Sequence, residues 1–266
     1  MDTFIEEIND FYLDINKQSF INISSGQFSK LSVWLHKPTH KKFLIKEMVK
    51  NYNGIETFVH HLMKDNKYFI KLYYSFTSLR SNFLIMDYIE NGDLFCLLQK
   101  EGQLSELETK FIVSQCADAL NALHEKNIIH NDIKLENVLY KRHKQVYICD
   151  YGLCKINNSN YDGYTDGTID YFSPEKISLN CAHDVSVDWW ALGVLTHELF
   201  TGVHPYKLDP NEAITLDQLC VRQRKPLRNK HNLSFVAFNF IEELLKFNKN
   251  YRLTSYSLIK KHKFLL

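Results

Sequence analysis

Four side chains that suit phosphoryl-transfer chemistry lie close together near the middle of the chain. Asp132, Lys134 and Asn137 fall within the run HNDIKLENVL, and Asp150 follows in DYG after a short predicted hairpin. Carboxylate and amide oxygens are hard ligands that suit Mg²⁺. An ammonium group can offset charge on a moving phosphoryl group, and a carboxylate can orient a hydroxyl nucleophile. These residues therefore predict phosphoryl transfer, against the alternative that they are solvated loop residues.

The same run carries a family resemblance. HNDIKLEN followed by DYG resembles the H-R-D-x-K-x-x-N catalytic loop and the D-F-G metal motif of protein kinases, and the separation of the two motifs also matches. The resemblance implies that Asp132 accepts the proton of a substrate hydroxyl and that Lys134 faces the γ-phosphate of ATP. It also implies that Asn137 and Asp150 hold Mg²⁺, with Mn²⁺ as a permitted alternative.

A lysine and a glutamate upstream complete the expected phosphate-binding set. FLIK, ending at Lys46, resembles the family's V-A-I-K, whose lysine pairs with the α- and β-phosphates. The alternative is a strand lysine that points to solvent. Glu56 is the best candidate for the partner glutamate on the following helix. Because its separation from Lys46 is short, the sequence predicts a trimmed or displaced helix.

The glycine-rich loop departs most from the family pattern. Of the three family glycines only the middle one, Gly26, is kept, so we expect ATP binding to be weaker by about tenfold. Met86 resembles the gatekeeper and Asp93 occupies the ribose-contact position. The other predicted nucleotide-binding residues are Ile23, Ser24, Ser25, Gln27, Phe28, Ser29 and Leu31 in the loop, and Asp87, Tyr88 and Ile89 in the hinge.

The segment from Asp150 to Glu175 corresponds to the family's activation segment. It ends in GTIDYFSPE, which resembles the family's G-T-x-x-Y-x-A-P-E. Lys134 and Thr168 favour serine/threonine over tyrosine specificity, and the resemblance implies that Thr168 hydrogen-bonds Asp132 and Lys134. It further implies two supporting contacts. Glu175 would pair with Arg252, and Asp188 would hold the backbone of the catalytic loop.

Asn131 replaces the arginine that precedes the catalytic aspartate in the family. That arginine usually clamps an activation-loop phosphate. We therefore expect activity that does not depend on phosphorylation at Tyr164 or Thr165. Asp93 and Glu136 match acidic positions that face substrate arginines in basophilic kinases, which gives a hypothesis of basic substrates against the alternative of solvated acids.

The surrounding pattern indicates an α+β fold with two lobes. Alternating and β-branched runs from Ser19 to about Met48, and again in IKLYYSF and NFLIMDYI, predict antiparallel strands. From Gly92 onward, apolar residues recur at helical spacing. We therefore expect a small ATP-binding lobe over residues 19–88, with a β-sheet and one helix, and a larger, mainly helical catalytic and substrate-binding lobe over residues 89–266. The nucleotide would bind in the cleft between them.

The first 18 residues form a predicted N-terminal helical extension. Apolar residues share one stripe over residues 2–13, and Thr3 and Glu6 have capping-box spacing. Packing on the small lobe is the simpler role for this helix, and homodimer formation through it is the alternative.

Charge balance, the length of apolar runs and cysteine spacing indicate which partners and compartments to expect. Lys plus Arg total 32 against 31 for Asp plus Glu, so no basic excess favours direct nucleic-acid binding. No segment reaches the ~18 apolar residues of a membrane span, and the N-terminus lacks a signal-peptide pattern. The six cysteines show no Cys-x-x-Cys spacing, which favours reduced thiols inside a cell. The sequence thus predicts an intracellular protein without a membrane partner.

Among protein kinases, the compact length, Asn131 and the DYG motif are most similar to baculovirus serine/threonine protein kinases. This resemblance implies action in the cytoplasm or nucleus of an infected host cell, with a small arginine-rich viral protein as a plausible substrate. Three other classes stay open. One is a pseudokinase scaffold that binds nucleotide without turnover, and another is a small-molecule kinase, which generally lacks the SPE segment. The third is an interaction protein built on the N-terminal helix.

Overall fold

The chain divides into two compact units, Met1–Glu90 and Asn91–Leu266, in a computed structural model. The division lies close to the predicted boundary between residues 88 and 89. The N-terminal helix predicted over residues 2–13 lies outside the described residues. The structure describes residues 15–25 (backbone), 29–36, 38–49, 54–78, 80–90, 92–157, 166–178, 184–209 and 211–266.

The first unit is built on an antiparallel sheet with the strand order β1-β2-β3-β5-β4. Phe43, Ile45 and Ile85 form its buried centre because alternate residues of paired strands face the same side. The first strand begins at Ile15, so the predicted start at Ser19 is four residues too late. The strands are β1 (Ile15–Ser25), β2 (Ser29–His36), β3 (Lys41–Val49), β4 (Leu72–Thr77) and β5 (Ser81–Asp87).

Among the described residues of this unit, the helix is α1 (Ile55–Leu62). It starts after Gly54, whose φ of 75° lies in the left-handed region that glycine adopts without strain. Glu56, Val59 and His60 are its buried residues, and the ring of His60 contacts the Ile70 carbonyl at 3.3 Å. The helix is therefore fixed by one face, which carries Glu56 inward.

The second unit is mainly helical, as the periodicity predicts. Helix α5 is buried along its whole length except at Glu198, which is the pattern of a helix at the centre of a domain. None of the helices in the described ranges is both long enough and apolar enough to cross a bilayer. The helices are α2 (Leu94–Glu101), α3 (Glu106–His124), α4 (Pro174–Ile177), α5 (Ser186–Thr201), α6 (Leu216–Gln223), α7 (Phe235–Leu244) and α8 (Tyr256–Lys261).

Two short strand pairs hold the polar run of the second unit in place. Strand β6 (Ile128–Ile129) pairs with β9 (Lys155–Ile156), and β7 (Val138–Lys141) forms a hairpin with β8 (Gln145–Ile148). The residues from 130 to 137 connect β6 to β7. Because each end of this connection is fixed in a pair of strands, its polar side chains are set on a rigid frame.

Helix α5 approaches α7 closely at Gly193. A β-carbon added there would lie 2.9 Å from Leu244 Cβ and 2.9 Å from Leu245 Cδ2. We expect Gly193→Ala to lower the free energy of unfolding by about 1–3 kcal/mol in urea titrations, because crowding outweighs the better helix propensity of alanine. An increase of about 0.5–1 kcal/mol, the usual gain for a helical Gly→Ala change, would contradict this close approach.

Candidate active site

Asp188 on α5 holds the backbone of the predicted catalytic loop. Its Oδ2 accepts hydrogen bonds from the His130 amide at 2.8 Å and from His124 Nε2 at 2.9 Å, and its Oδ1 accepts one from the Asn131 amide at 2.9 Å. Burial alone would raise the pKa of this carboxyl, but the contact with His124, the nearby His130 and the Asn131 amide lower it. The predicted support by Asp188 is therefore present.

The carboxylate of Asp132 lies at the centre of a hydrogen-bonded group. Its Oδ1 accepts from the amide and the hydroxyl of Thr168, both at 2.9 Å. Its Oδ2 accepts from Asn137 Nδ2 at 3.0 Å and lies 3.1 Å from Lys134 Nζ. Lys134 also donates to the Thr168 hydroxyl at 2.7 Å. The predicted contacts of Thr168 are thus present, and the orientation of the Asp132 carboxylate is fixed from both sides.

Asn137 and Asp150 suit a divalent metal by the chemistry of their oxygen atoms. Asn137 uses Nδ2 to donate to the Asp132 carbonyl at 2.8 Å and to the Asp132 carboxylate. Within the described residues no side chain or amide donates to its Oδ1, so this oxygen can serve as a ligand. The Cys149 amide donates to the Asn137 carbonyl at 3.0 Å, which brings the residue before Asp150 beside Asn137.

Two oxygen-donor side chains suit Mg²⁺, which usually keeps several waters and shares ligands with phosphate groups. The described ranges contain no cluster of three His, Cys, Asp or Glu residues that would hold a metal by itself.

The tyrosine of the DYG motif is accommodated without an unpaired hydroxyl. Tyr151 is fully buried, and its hydroxyl donates to the Ile148 carbonyl at 2.5 Å. Its ring packs edge to face against His130, with the centroids 5.9 Å apart. The hydroxyl that distinguishes this residue from the family phenylalanine thus has the partner that a buried polar group needs.

Lys46 and Glu56 form a buried ion pair in the first unit. Lys46 Nζ lies 2.8 and 2.9 Å from the two Glu56 carboxylate oxygens, and the residues are 8% and 2% exposed. The short separation in sequence therefore does not prevent the predicted salt bridge. The role of this pair toward phosphates stays a prediction.

The predicted phosphate-binding loop lies only partly within the described residues. Gly26, Gln27 and Phe28 fall outside them. Ile23, Ser24 and Ser25 belong to β1, and Ser29 and Leu31 belong to β2, where Leu31 pairs with Lys46 of β3. The backbone pairing thus places the strand that follows the loop directly beside the predicted phosphate-binding lysine.

The predicted hinge residues differ in their burial and in the contacts that their side chains make. Met86 is buried. The carboxylate of Asp87 accepts the Tyr73 hydroxyl at 2.9 Å and pairs with Lys41 at 2.8 Å, so it supports the strand. Tyr88 and Ile89 are half-buried and follow the end of β5.

Two predicted acidic contacts lie in the second unit. Asp93 is the N-cap of α2 and accepts the Cys96 amide at 2.7 Å. Glu136 lies in the turn Leu135–Asn137, and its side chain is exposed. The Asp93 carboxylate is therefore engaged as a helix cap, whereas that of Glu136 is not.

The predicted pair of Glu175 and Arg252 is present and buried. The Arg252 guanidinium contacts the two carboxylate oxygens at 2.5 and 2.8 Å and stacks over the Trp190 ring at 4.8 Å. Burial would raise the pKa of Glu175, but its hydrogen bonds and charge interaction with Arg252 lower it. This two-point contact anchors the end of the activation segment to the helical core.

Sequence reasoning missed Lys176 and Gln223. Lys176 is 4% exposed and donates to Asn131 Oδ1 at 2.7 Å and to the Asn131 carbonyl at 2.8 Å. Gln223 is buried and donates to the Phe172 carbonyl at 2.7 Å. No pattern indicates these contacts, because polar residues are mostly exposed and these partners are distant in sequence.

Comparisons with known proteins indicate similarity to protein kinases over almost the whole chain. A family model described as protein kinase domain matches residues 18–265. The chain is 52% identical to serine/threonine-protein kinase 1 of Heliothis zea nuclear polyhedrosis virus, over 99% of each chain. It is 48% identical to serine/threonine-protein kinase 1 of Lymantria dispar multicapsid nuclear polyhedrosis virus, over 98% of this chain and 96% of the relative. It is also 32% identical to serine/threonine-protein kinase sgk-1 of Caenorhabditis elegans, over 92% of this chain and 55% of that protein.

Thr168 offers a test with a matched control. Thr168→Ala removes a hydroxyl that bridges Asp132 and Lys134, and hydrogen bonds to charged groups contribute about 1.5–3 kcal/mol. We expect kcat for phosphoryl transfer to fall about tenfold or more, while Thr168→Ser, which keeps the hydroxyl, should stay within about threefold of wild type. Equal rates in the two variants would show that the bridge is not used.

Proposed function

The chain belongs to the protein kinase family, and we propose that it transfers the γ-phosphoryl group of ATP to serine and threonine hydroxyls of proteins without prior phosphorylation of its activation segment. The class of enzyme follows from the family match and from viral relatives named serine/threonine-protein kinase over almost their whole length. It is therefore an ATP-dependent serine/threonine protein kinase. The residue roles and the independence from phosphorylation are the proposal.

The contact that supports the catalytic proposal is the fixed carboxylate of Asp132. Four donor groups from Thr168, Asn137 and Lys134 surround it. The carboxylate is thus oriented before substrate binds, and it would accept the hydroxyl proton as the phosphoryl group is transferred. Lys134, already beside this carboxylate, would offset charge on the γ-phosphoryl group.

Each unit carries its own proposed contacts to nucleotide or metal. In the first unit, Lys46 would pair with the α- and β-phosphates, since Glu56 holds its ammonium group in place. In the second, Asn137 and Asp150 would hold Mg²⁺, which when bound neutralises charge on the phosphates. Mn²⁺ would fit the same oxygen ligands. The backbone of residues 87–89 would contact adenine, and Asp93 would contact the ribose.

Three further proposals concern substrate specificity, location in the cell and oligomeric state. The exposed Glu136 supports a preference for basic or arginine-rich protein substrates, because charge complementarity guides the choice of partner. The viral relatives support action in the cytoplasm or nucleus of an infected host cell. A homodimer formed through the N-terminal segment stays a proposal from the sequence alone.

The rival function is a pseudokinase that binds nucleotide without turnover. Asn131 and the two missing loop glycines favour it. The complete set of Lys46, Glu56, Asp132, Asn137 and Asp150 favours an active enzyme, and the observed Lys46–Glu56 ion pair adds to that side. We therefore propose activity.

A radiolabelled γ-phosphate transfer assay with Mg²⁺ tests the proposed roles. Wild type should label serine or threonine, and Asp132→Ala and Asp150→Ala should each lower the rate by about a hundredfold or more, since each change removes a group that acts in the transition state. Asp217→Ala, an exposed carboxylate in the first turn of α6, is the control and should keep the wild-type rate.

The same assay separates the alternatives. Saturable ATP binding without any transfer would establish the pseudokinase instead. Basic and acidic protein substrates should be compared side by side, and equal labelling of both would reject the preference for basic substrates.

The independence from phosphorylation has its own test. The double variant Tyr164→Phe, Thr165→Ala removes the two candidate hydroxyls, and we expect it to keep most of the wild-type kcat because Asn131 offers no cation to a phosphate. Protein treated with a phosphatase should behave in the same way. Complete loss of activity in the double variant would show that phosphorylation is required.

A further inference from the structure

Lys176, directly after the SPE motif, is almost completely buried. It is 4% exposed and lies in α4 at the end of the activation segment. Lysine is rarely buried without a partner, since removing an ammonium group from water is costly. The ammonium group of Lys176 therefore needs hydrogen-bond acceptors or opposite charges within the second unit.

The ammonium group of Lys176 is directed at a single residue of the catalytic loop. Nζ donates to Asn131 Oδ1 at 2.7 Å and to the Asn131 carbonyl at 2.8 Å, and it lies 4.4 Å from the centre of the Phe172 ring. Two hydrogen bonds and a cation–π contact together replace much of the lost hydration. A β-carbon at Gly167 would lie 3.0 Å from Nζ, so the end of the activation segment closes over this group.

Asn131 connects Lys176 to two other segments. Its amide donates to Asp188 Oδ1 at 2.9 Å, and its Nδ2 donates to the Leu153 carbonyl at 3.1 Å. Its φ of 69° is left-handed, a conformation that asparagine tolerates better than most residues. The residue next to Asp132 is thus held by α5, by the segment after the DYG motif and by Lys176.

We propose that Lys176 is a positioning residue of this kinase, whose ammonium group locks Asn131, and with it the neighbouring Asp132, to the end of the activation segment. This inference rests on the proposed function and deepens its phosphorylation independence. In the family pattern the cation lies at position 131 and awaits a phosphate. In this chain the cation is Lys176, and its partner is Asn131 of the catalytic loop rather than a phosphate.

The charges around Lys176 make the lock sensitive to pH. Burial lowers the pKa of Lys176 to about 8, although Asp132, Asp188 and Asp166 act to raise it, and Lys155 lowers it further. Lys155 and Asp166 themselves form an ion pair at 2.7 Å. The ammonium form, which donates both hydrogen bonds as a cation, therefore prevails below pH 8 and declines above it.

The first experiment compares Lys176→Met with wild type in steady-state kinetics at pH 7. Methionine is unbranched and one heavy atom shorter than lysine, so it keeps most of the side chain and removes the charge. We expect kcat to fall about tenfold to a hundredfold, as for loss of hydrogen bonds to a charged group, with little change in the KM for ATP. Lys260→Met is the matched control, because Lys260 pairs with Asp118 and Ser114 elsewhere in the same unit. It should keep the wild-type kcat.

The pH profile separates positioning from a merely structural role. The ratio of wild-type kcat to Lys176→Met kcat should decline toward one as pH rises from about 7 to 9.5, because wild type then loses the charge that the variant lacks. A ratio that stays constant over this range, or equal kcat values at pH 7, would overturn the proposal.

Hydrogen exchange provides a readout that does not need activity. Amides of residues 130–132 should exchange several-fold faster in Lys176→Met than in wild type and in Lys260→Met. Unchanged exchange would overturn the lock even if the enzyme were inactive. Faster exchange combined with a wild-type protein that transfers no phosphate would refute the proposed function and leave the contact with Asn131 established.

Discussion

The arrangement of the second unit depends on one buried carboxylate, that of Asp188. It accepts two consecutive loop amides, from His130 and Asn131, and a ring nitrogen of His124. A buried carboxylate is stable only when its oxygens are hydrogen-bonded, so the catalytic loop and α5 stabilise each other through Asp188. Because α5 is buried along nearly its whole length, it transmits the rigidity of the helical core to the residues beside Asp132.

Lys134 and Lys176, whose charges lie near Asp132, each also hold a second residue. Lys134 contacts both the carboxylate and Thr168, and Lys176 holds Asn131 while it lies in the field of Asp132 and Asp188. The buried groups are thus paired in a network whose members stabilise one another. Such a network favours one geometry of the loop before any ligand binds, which is the preorganisation that phosphoryl transfer requires.

In the first unit, the ion pair of Lys46 and Glu56 has a similar function on a smaller scale. The sheet carries Lys46 on β3, and one short helix carries Glu56. The pair is buried, so neither residue can be removed without leaving an unpaired charge. The ion pair therefore helps to hold this two-turn helix against the sheet, although only a short stretch of chain separates Lys46 from Glu56.

The sequence by itself determined the fold class, the strands and long helices, and the identity of the candidate catalytic residues, because apolar periodicity and ordered motifs are local properties of the chain. It also indicated the pairs of Glu175 with Arg252 and of Lys46 with Glu56, through the family resemblance. It missed the start of β1 at Ile15 and the burial of Lys176. Only the tertiary structure decided these points, since the partner of a buried lysine is set by which distant segments meet, and no spacing within a single segment encodes that meeting.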